Sequence, residues 1–456
     1  MTASLTTNAP TTPSLTADLA RRIVASDPLA DAEAVQAARV ALVDFLACAI
    51  AGATDPALTI LLDTLGGVGA GDATLIGRAA RADAFTAALA NGHAGHALDY
   101  DDVHASVRGH PGAVIVPALL AAADDSGASA LDLLAAHIVG LETMARLGLA
   151  LGSRHYEIGF HATATLGSVG AAAAVARLLR LDAAQIAVAL GLAATQSSGL
   201  RLQFGYDAKP WHAGFAAKAG LTAARLAARG FGGAPDAFDG PINFFSAFAA
   251  GAAQPDLATR GWGEPWQIVT PGLILKEFPC CTAAHCAAEA VLGLRADHAI
   301  DPDRIAAITA SFPPGGDAAL VVRRPTNGVE GRFSVEYVIA SALVHGDLGV
   351  TTFADRPIPP AVQSLLDRVE RRHDQDAPRM SNDPATRFTD VTIRFTDGSS
   401  LSRRVNRIRG AQDLDAKFQD ATNRDPRFAD VPARVFAMTT RDDLRGLTAA
   451  LGQPVS

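Results

Sequence analysis

His161-Ala-Thr-Ala-Thr-Leu-Gly-Ser-Val-Gly-Ala-Ala-Ala-Ala-Val-Ala-Arg-Leu-Leu179 decides the fold. Nineteen residues carry one charge and almost nothing larger than leucine. A stretch this apolar and this small on every face predicts a helix packed on all sides by other helices. The neighbouring segments repeat the theme. Glu33–Ala51, Arg81–Leu98, Pro111–Ala123, Ala130–Leu151, Ala183–Leu200 and Ala213–Ala228 all carry apolar residues at helical spacing, and loops holding Gly, Asp or Ser separate most of them.

Strand signals appear only later. Ile305–Phe312 alternates and stops at Pro313-Pro314. Thr389–Phe395 alternates, meets Asp397-Gly398, and resumes at Leu401–Val405, which reads as a hairpin. Helical segments, Thr282–Leu294 and Ser334–Leu343, lie between the strands, and Asp413–Leu451 is helical again. The expected fold is therefore mainly α: a large all-helical domain, residues 15–272 plus 409–451, and a smaller α/β lid domain, residues 273–408. The junction between them is where a small-molecule cleft is expected.

The bulk numbers bound the function. The chain has 456 residues, 49% hydrophobic and 19% charged, enough for a large core and far from a disordered composition. Net charge is −8 and no Lys/Arg run occurs, so a nucleic-acid or membrane-surface partner has no electrostatic footprint. Met1–Ser14 has no positive charge and no apolar core, and reads as a frayed tail, not a signal peptide. Apolar stretches such as Ala113–Ala123 are too short to span a bilayer. Cys280, Cys281 and Cys286 crowd together and Cys48 stands alone, which is no disulfide framework, so the expected location is cytoplasmic.

Four polar clusters stand out. The densest is His93-x2-His96-x2-Asp99-Tyr100-Asp101-Asp102-x-His104, followed by His110-Pro111. Capping and solvated loop charge, a metal site, and a metal-free acid/base site all fit these residue types. The second is His155-Tyr156-Glu157-Ile158-Gly159-Phe160-His161, where Thr163 and Thr165 near a helix start can leave backbone N–H groups for a carboxylate. The third is Lys209-Pro210-Trp211-His212, with Lys209 expected in an extended segment ahead of a helix. The fourth is Lys276-Glu-Phe-Pro279-Cys280-Cys281-Thr-Ala-Ala-His285. Adjacent cysteines chelate poorly, and no second pair supports zinc.

Of 39 basic residues only Lys209, Lys218, Lys276 and Lys417 are lysine. Where Arg is the default cation, a retained Lys marks a place needing a compact amine that can lose its proton. Lys209 and Lys276, each in a proline-containing loop at a domain edge, fit that need. Lys417, outside any motif, reads as incidental.

The ordered set resembles the MmgE/PrpD family, which includes 2-methylcitrate dehydratase, cis-aconitate decarboxylase and iminodisuccinate epimerase. The carrying residues are Gly95-His96-Ala-Leu-Asp99-Tyr-Asp101-Asp102-x-His104, His110-Pro111-Gly112, Gly159-Phe160-His161-x-Thr163-x-Thr165-x-Gly167, Lys209-Pro210-x-His212-x-Gly214 and Lys276-x-Phe-Pro279-Cys280. Phe333-Ser334, ahead of a helix ending at His345-Gly346, also fits, and the resemblance runs from about residue 15 to 450. It implies a homodimer, no metal and no organic cofactor, and a small polycarboxylate substrate.

The implied catalytic residues are Asp99, His110, Tyr156, His161, Lys209 and Lys276, with Arg201, His104, Thr163, His212 and Cys281 around the substrate. Lys276, Lys209 and Arg201 would hold carboxylates, and His161 or His110 would serve as base. Lys209 would take that role if its pKa is lowered. Tyr156 on the opposite face would allow a two-base epimerase, and Asp99 would orient a histidine or hold a proton. One departure is Val103, where many relatives carry Thr. Dehydration is the first expectation, epimerisation or decarboxylation the alternatives. A non-catalytic dimeric relative is the rival of another class.

Overall fold

The computed structural model describes residues 14–381 and 384–455. Of the expected frayed tail, Met1–Ser14, only Ser14 lies within the described residues. It is not frayed: its hydroxyl accepts from the Ala17 N–H and caps the helix Leu15–Ala25.

The helical body is built from Ala32–Gly52, Ala84–His96, Gly112–Ser126, Ala130–Glu157, Ala162–Leu178, Ala183–Ala194 and Ala208–Ala228. Local chemistry starts most of them. Asp31 and Asp83 each accept two N–H bonds from the first turn, and Ser129 with Asp132 and Asp182 with Gln185 close capping boxes. Ala162–Leu178 is buried along its whole length except Arg177. Its small residues let neighbours come to backbone contact. A Cβ added to Gly220 would meet the Ala171 Cβ at 2.5 Å and the Ala172 nitrogen at 2.7 Å.

The α/β part carries a four-stranded sheet in the order Val369–His373, Ile305–Phe312, Thr389–Phe395, Ser400–Val405. The first pair is parallel and the other two antiparallel, with Ile308 opposite both Val369 and Ile393. Helices His285–Asp297 and Val335–His345 cover the face that holds Ile308, Ala310, Val391 and Ile393. The hydrophobic core falls into two clusters. One joins the body helices to the tail through Phe418, Phe428, Val431 and Leu447, and the other fills the α/β part.

Several expectations need correction. Val68–Thr74 and Arg81–Ala82 form a small hairpin inside the stretch read as wholly helical, because its glycines carry no periodicity. Val369–His373 was invisible as a strand: Val-Glu-Arg-Arg-His is an edge strand with Glu370 and Arg372 in water and Arg371 buried against Glu336. The helix from Ala183 ends at Ala194, and the helix from Ala130 runs to Glu157 with a break at Gly152 (φ 68°). Two helices, Ala32–Gly52 and Ala130–Glu157, do reach the length and apolarity of a membrane span. Both lie in the core of the body, and the second has 94% of its most apolar window buried.

Candidate active site

The helices Ala84–His96 and Ala208–Ala228 cross at two glycines. A Cβ on Gly214 would sit 2.1 Å from the Leu89 carbonyl oxygen, and one on Gly92 would sit 2.8 Å from the Gly214 Cα. This approach brings the first turn of one helix against the last turn of the other. Lys209 is therefore helical, not extended as expected: Pro210 is the third residue of its helix, where the missing N–H has no partner to lose.

Lys209 Nζ lies 2.7 Å from Asp99 Oδ1 and 2.7 Å from His96 Nε2. Lys276 Nζ lies 2.9 Å from the same Asp99 oxygen and donates to the Asp99 carbonyl at 2.6 Å. Asp99 itself holds a left-handed conformation, φ 50°, which turns its carboxylate between the two ammonium groups. His110 spans the two carboxylates behind, with Nε2 3.6 Å from Asp99 and Nδ1 3.3 Å from Asp101. Asp101 also accepts from His96 Nδ1 at 2.9 Å. The contacts assign His96 a neutral ring with its proton on Nδ1 and its Nε2 lone pair toward Lys209.

Electrostatics follow from this packing. Burial works against charge on Asp99, but the Lys209 and Lys276 ammoniums outweigh it and hold the carboxyl well below its usual range. Burial lowers Lys209 below the ordinary amine value, opposed by Asp99 and aided by Lys276. Lys276 moves the other way: the attraction of Asp99 and Asp101 overcomes its burial and raises it. Burial also keeps His96 neutral, pushed down to about 3, and drives His161 far below the usual imidazole value.

Part of this centre opens on a cavity of about 750 Å³ between the body and the α/β part. Asp99, His104, His110, Tyr156, His161, Arg201, Lys209, Lys276 and Cys281 all line it. His104 is spent on the protein, donating from Nε2 to the Gln267 carbonyl (2.9 Å) and accepting the Ser106 N–H at Nδ1. Thr163 and His212 stand behind the wall. The Thr163 hydroxyl accepts the His110 N–H at 3.1 Å, and His212 Nδ1 lies 3.2 Å from His161 Nδ1. At the helix start the N–H groups of Ala164 and Thr165 are taken by the His161 carbonyl. Tyr156 is flanked by Arg201, 3.9 Å from its ring centre, and Arg108 at 4.7 Å. Arg201 spends its two terminal nitrogens on the carbonyls of Tyr156 and Ala318, tying body to lid. The Cys281 thiol is raised by burial.

Arg108, Arg379, Arg387 and Arg407 also line the cavity and were missed. Arg379, Arg387 and Arg407 come from loops with no motif around them, Arg108 lies between His104 and His110 without being singled out, and an arginine-rich chain gives no contrast by which to pick them out. His96 sat in the quoted motif without a role.

His96, Asp99, Asp101 and His110 place ligand atoms within 4.8 Å of one another, a donor set a metal ion could use. The fit is poor on charge, because two ammonium groups already sit on Asp99 and one of them on His96 Nε2. A divalent ion there would face both at contact distance.

A buried Lys/His/Asp centre facing a cavity beneath an α/β lid on a helical body is the architecture of an enzyme built for acid–base chemistry. The chain belongs to the MmgE/PrpD family: the family's N-terminal domain matches residues 17–256 and its C-terminal domain residues 278–437. Among curated relatives, cis-aconitate decarboxylase of Homo sapiens is 30% identical over 73% of this chain and 71% of its own length. The Mus musculus enzyme of that name is 29% identical over 73% and 70%. A cis-aconitate decarboxylase-like protein of Aspergillus oryzae is 29% identical over 81% of both chains.

Proposed function

We propose that this protein is a cofactor-independent lyase that moves a proton at carbon on a small polycarboxylate. The observation that carries this reading is the charge of the cavity. Among the described residues, five arginines and two lysines line it against Asp99 and Glu157, in a chain whose net charge is −8. Asp99 is already neutralised by both lysines, so the surplus is positive and suits a ligand with several carboxylates.

The chemistry follows from where the cations and the labile proton lie. Lys276, whose charge is held firmly, and the arginines other than Arg201 bind carboxylates and take up the negative charge that builds beside the reacting carbon. Lys209, held below the ordinary amine value, carries the proton at Nζ, with His96 Nε2 behind it and His161 in the same wall. The names of the relatives favour decarboxylation of a cis-aconitate-like acid. The bond from carbon to one carboxylate breaks, carbon dioxide leaves, the electron pair stays on the substrate, and Lys209 protonates the carbon. Dehydration is the second reading, favoured by the Tyr156 phenol between two guanidiniums, an acid for a departing hydroxyl while Lys209 or His161 takes the proton from carbon. The homodimer implied by the resemblance belongs to the same proposal, and sedimentation at twice the chain mass tests it.

Proton NMR in D2O of the metal-stripped protein with cis-aconitate, 2-methylcitrate, citrate and iminodisuccinate tests the reading. The expected result is turnover of one of them with deuterium entering the product at carbon, lost in Lys209→Ala. Loss of carbon dioxide or of water then chooses between the two reactions. A folded wild-type protein inert toward all four sinks the proposal, and turnover only after metal addition overturns its cofactor independence.

A further inference from the structure

Three of the four lysines of this chain converge on one short segment. Lys209 meets His96 and Asp99, and Lys276 donates to the Asp99 carbonyl. Lys417, on the tail helix Leu414–Ala421, donates to the very next carbonyl, that of Tyr100, at 2.8 Å. It pairs with Asp44 Oδ1 at 2.5 Å and lies 4.3 Å from the centre of the Tyr100 ring. Lys417 and Asp44 are both buried. The Tyr100 hydroxyl reaches the Glu277 carbonyl at 3.4 Å and Asp420 at 3.5 Å, so the tail helix meets this residue at both ends.

The two carbonyls matter because Asp99 is left-handed. A backbone turned out of helix and sheet leaves its oxygens without ladder partners, and each must find a donor. Here each oxygen receives one ammonium. The compact head of lysine can lie against a ring, a carboxylate and a carbonyl together, which the planar fork of arginine does not match.

We infer that Lys417 is a positioning residue: by holding the Tyr100 carbonyl from the tail, it keeps the Asp99 carboxylate where Lys209 and Lys276 both meet it. Its kinetic consequence rests on the function proposed above, while its geometric consequence does not.

Lys417→Met alone strands the buried Asp44 charge and threatens folding. The double variant Asp44→Asn/Lys417→Met removes both charges and leaves the Tyr100 carbonyl without its donor. With only four lysines, ε-13C-lysine labelling gives four resolvable side-chain signals. In the folded double variant the Lys209 and Lys276 signals move and Lys218 does not. The kcat falls about tenfold or more with KM within about threefold, the loss of one charge-assisted contact that acts on the transition state. Unmoved Lys209 and Lys276 signals overturn the inference whatever the rate, and moved signals with wild-type kcat overturn it as well. If wild-type protein turns over no polycarboxylate, the proposed function has failed and the signals alone decide about Lys417. Should the double variant not fold, Lys417→Arg, which keeps the charge and widens the head group, is read by the same signals.

Discussion

The Lys209 ammonium and the Asp99 carboxylate lie 2.7 Å apart, both side chains almost wholly buried, and a second ammonium, Lys276, shares the same carboxylate oxygen. Two cations on one anion leave neither fully satisfied. Lys209 sits lower than an ordinary amine and Lys276 higher. The asymmetry divides the work: one lysine can give up its proton and the other keeps its charge. Lys209→Met should lower kcat by about 10²–10⁴, the usual worth of a positioned acid or base. Steady-state rates on the substrate identified by NMR check this, and a loss under tenfold would remove Lys209 from the proton path.

Lys276 contributes to that asymmetry. Burial is the larger force lowering Lys209, but the Lys276 charge acts in the same direction and competes for Asp99. Lys276→Met therefore returns Asp99 to Lys209 and raises the Lys209 pKa. The proton is then held to higher pH. A titration followed through ε-13C-lysine signals should show the Lys209 transition at higher pH than in wild type. An unshifted transition would mean that the Lys276 charge has no part in setting it.

Much of this centre was legible, because its residues come in short motifs that an arginine-rich, alanine-rich chain throws into relief. Asp99, Lys209, Lys276, His110 and His161 do face one cavity. The helices were legible from their caps and apolar spacing, and the Thr389–Phe395 hairpin from Asp397-Gly398. What escaped has no local signature. Lys417 sits on an amphipathic tail helix, and only the third dimension brings it to Tyr100. Arg379 and Arg407 lie on loops, where the sequence carries no period at all. Thr163 and His212 were placed near the right chemistry but one layer too close to it, since a motif gives proximity along the chain and not which side chain reaches the cavity.

Arg379 and Arg407 are exposed at the cavity rim, unlike the lysines. Exposed charges act through screened, longer-range attraction. Arg379→Gln and Arg407→Gln should each raise KM roughly three- to tenfold with little change in kcat, and the difference from wild type should shrink as salt rises. Kinetics at low and high ionic strength check it. A fall in kcat at constant KM would place these arginines at the reacting carbon instead.

Gly214 sets the geometry of the whole centre, because any side chain there strikes the Leu89 carbonyl. Gly214→Ala must push two helices apart. Overpacking of this kind costs about 1–3 kcal/mol or more, read as a lower thermal midpoint. The same displacement pulls Lys209 from Asp99, so kcat should fall even in protein that remains folded. Retained activity at a lowered midpoint would show that the lysine can follow its carboxylate.

Acid stability is governed by histidines held neutral. Burial pushes His104, His137 and His212 down to about 4 and His96 and His285 to about 3, against 6.5 for the free side chain. Below 6.5 the unfolded chain binds protons that the folded one refuses. The stability these rings contribute is therefore whole above 6.5 and is lost as pH falls from there toward the folded values. Each such ring costs up to about 1.4 kcal/mol per pH unit in that window. His137 isolates the effect, since neither of its ring nitrogens has a hydrogen-bond partner among the described residues and it lies in the core of the helix Ala130–Glu157. His137→Leu removes a buried polar ring without breaking a bond. It should leave stability at pH 8 unchanged or higher and move the acid-unfolding midpoint to lower pH. Circular dichroism across pH 8 to 4 reads both, and an unshifted midpoint would mean that His137 is not protonated on unfolding in this range.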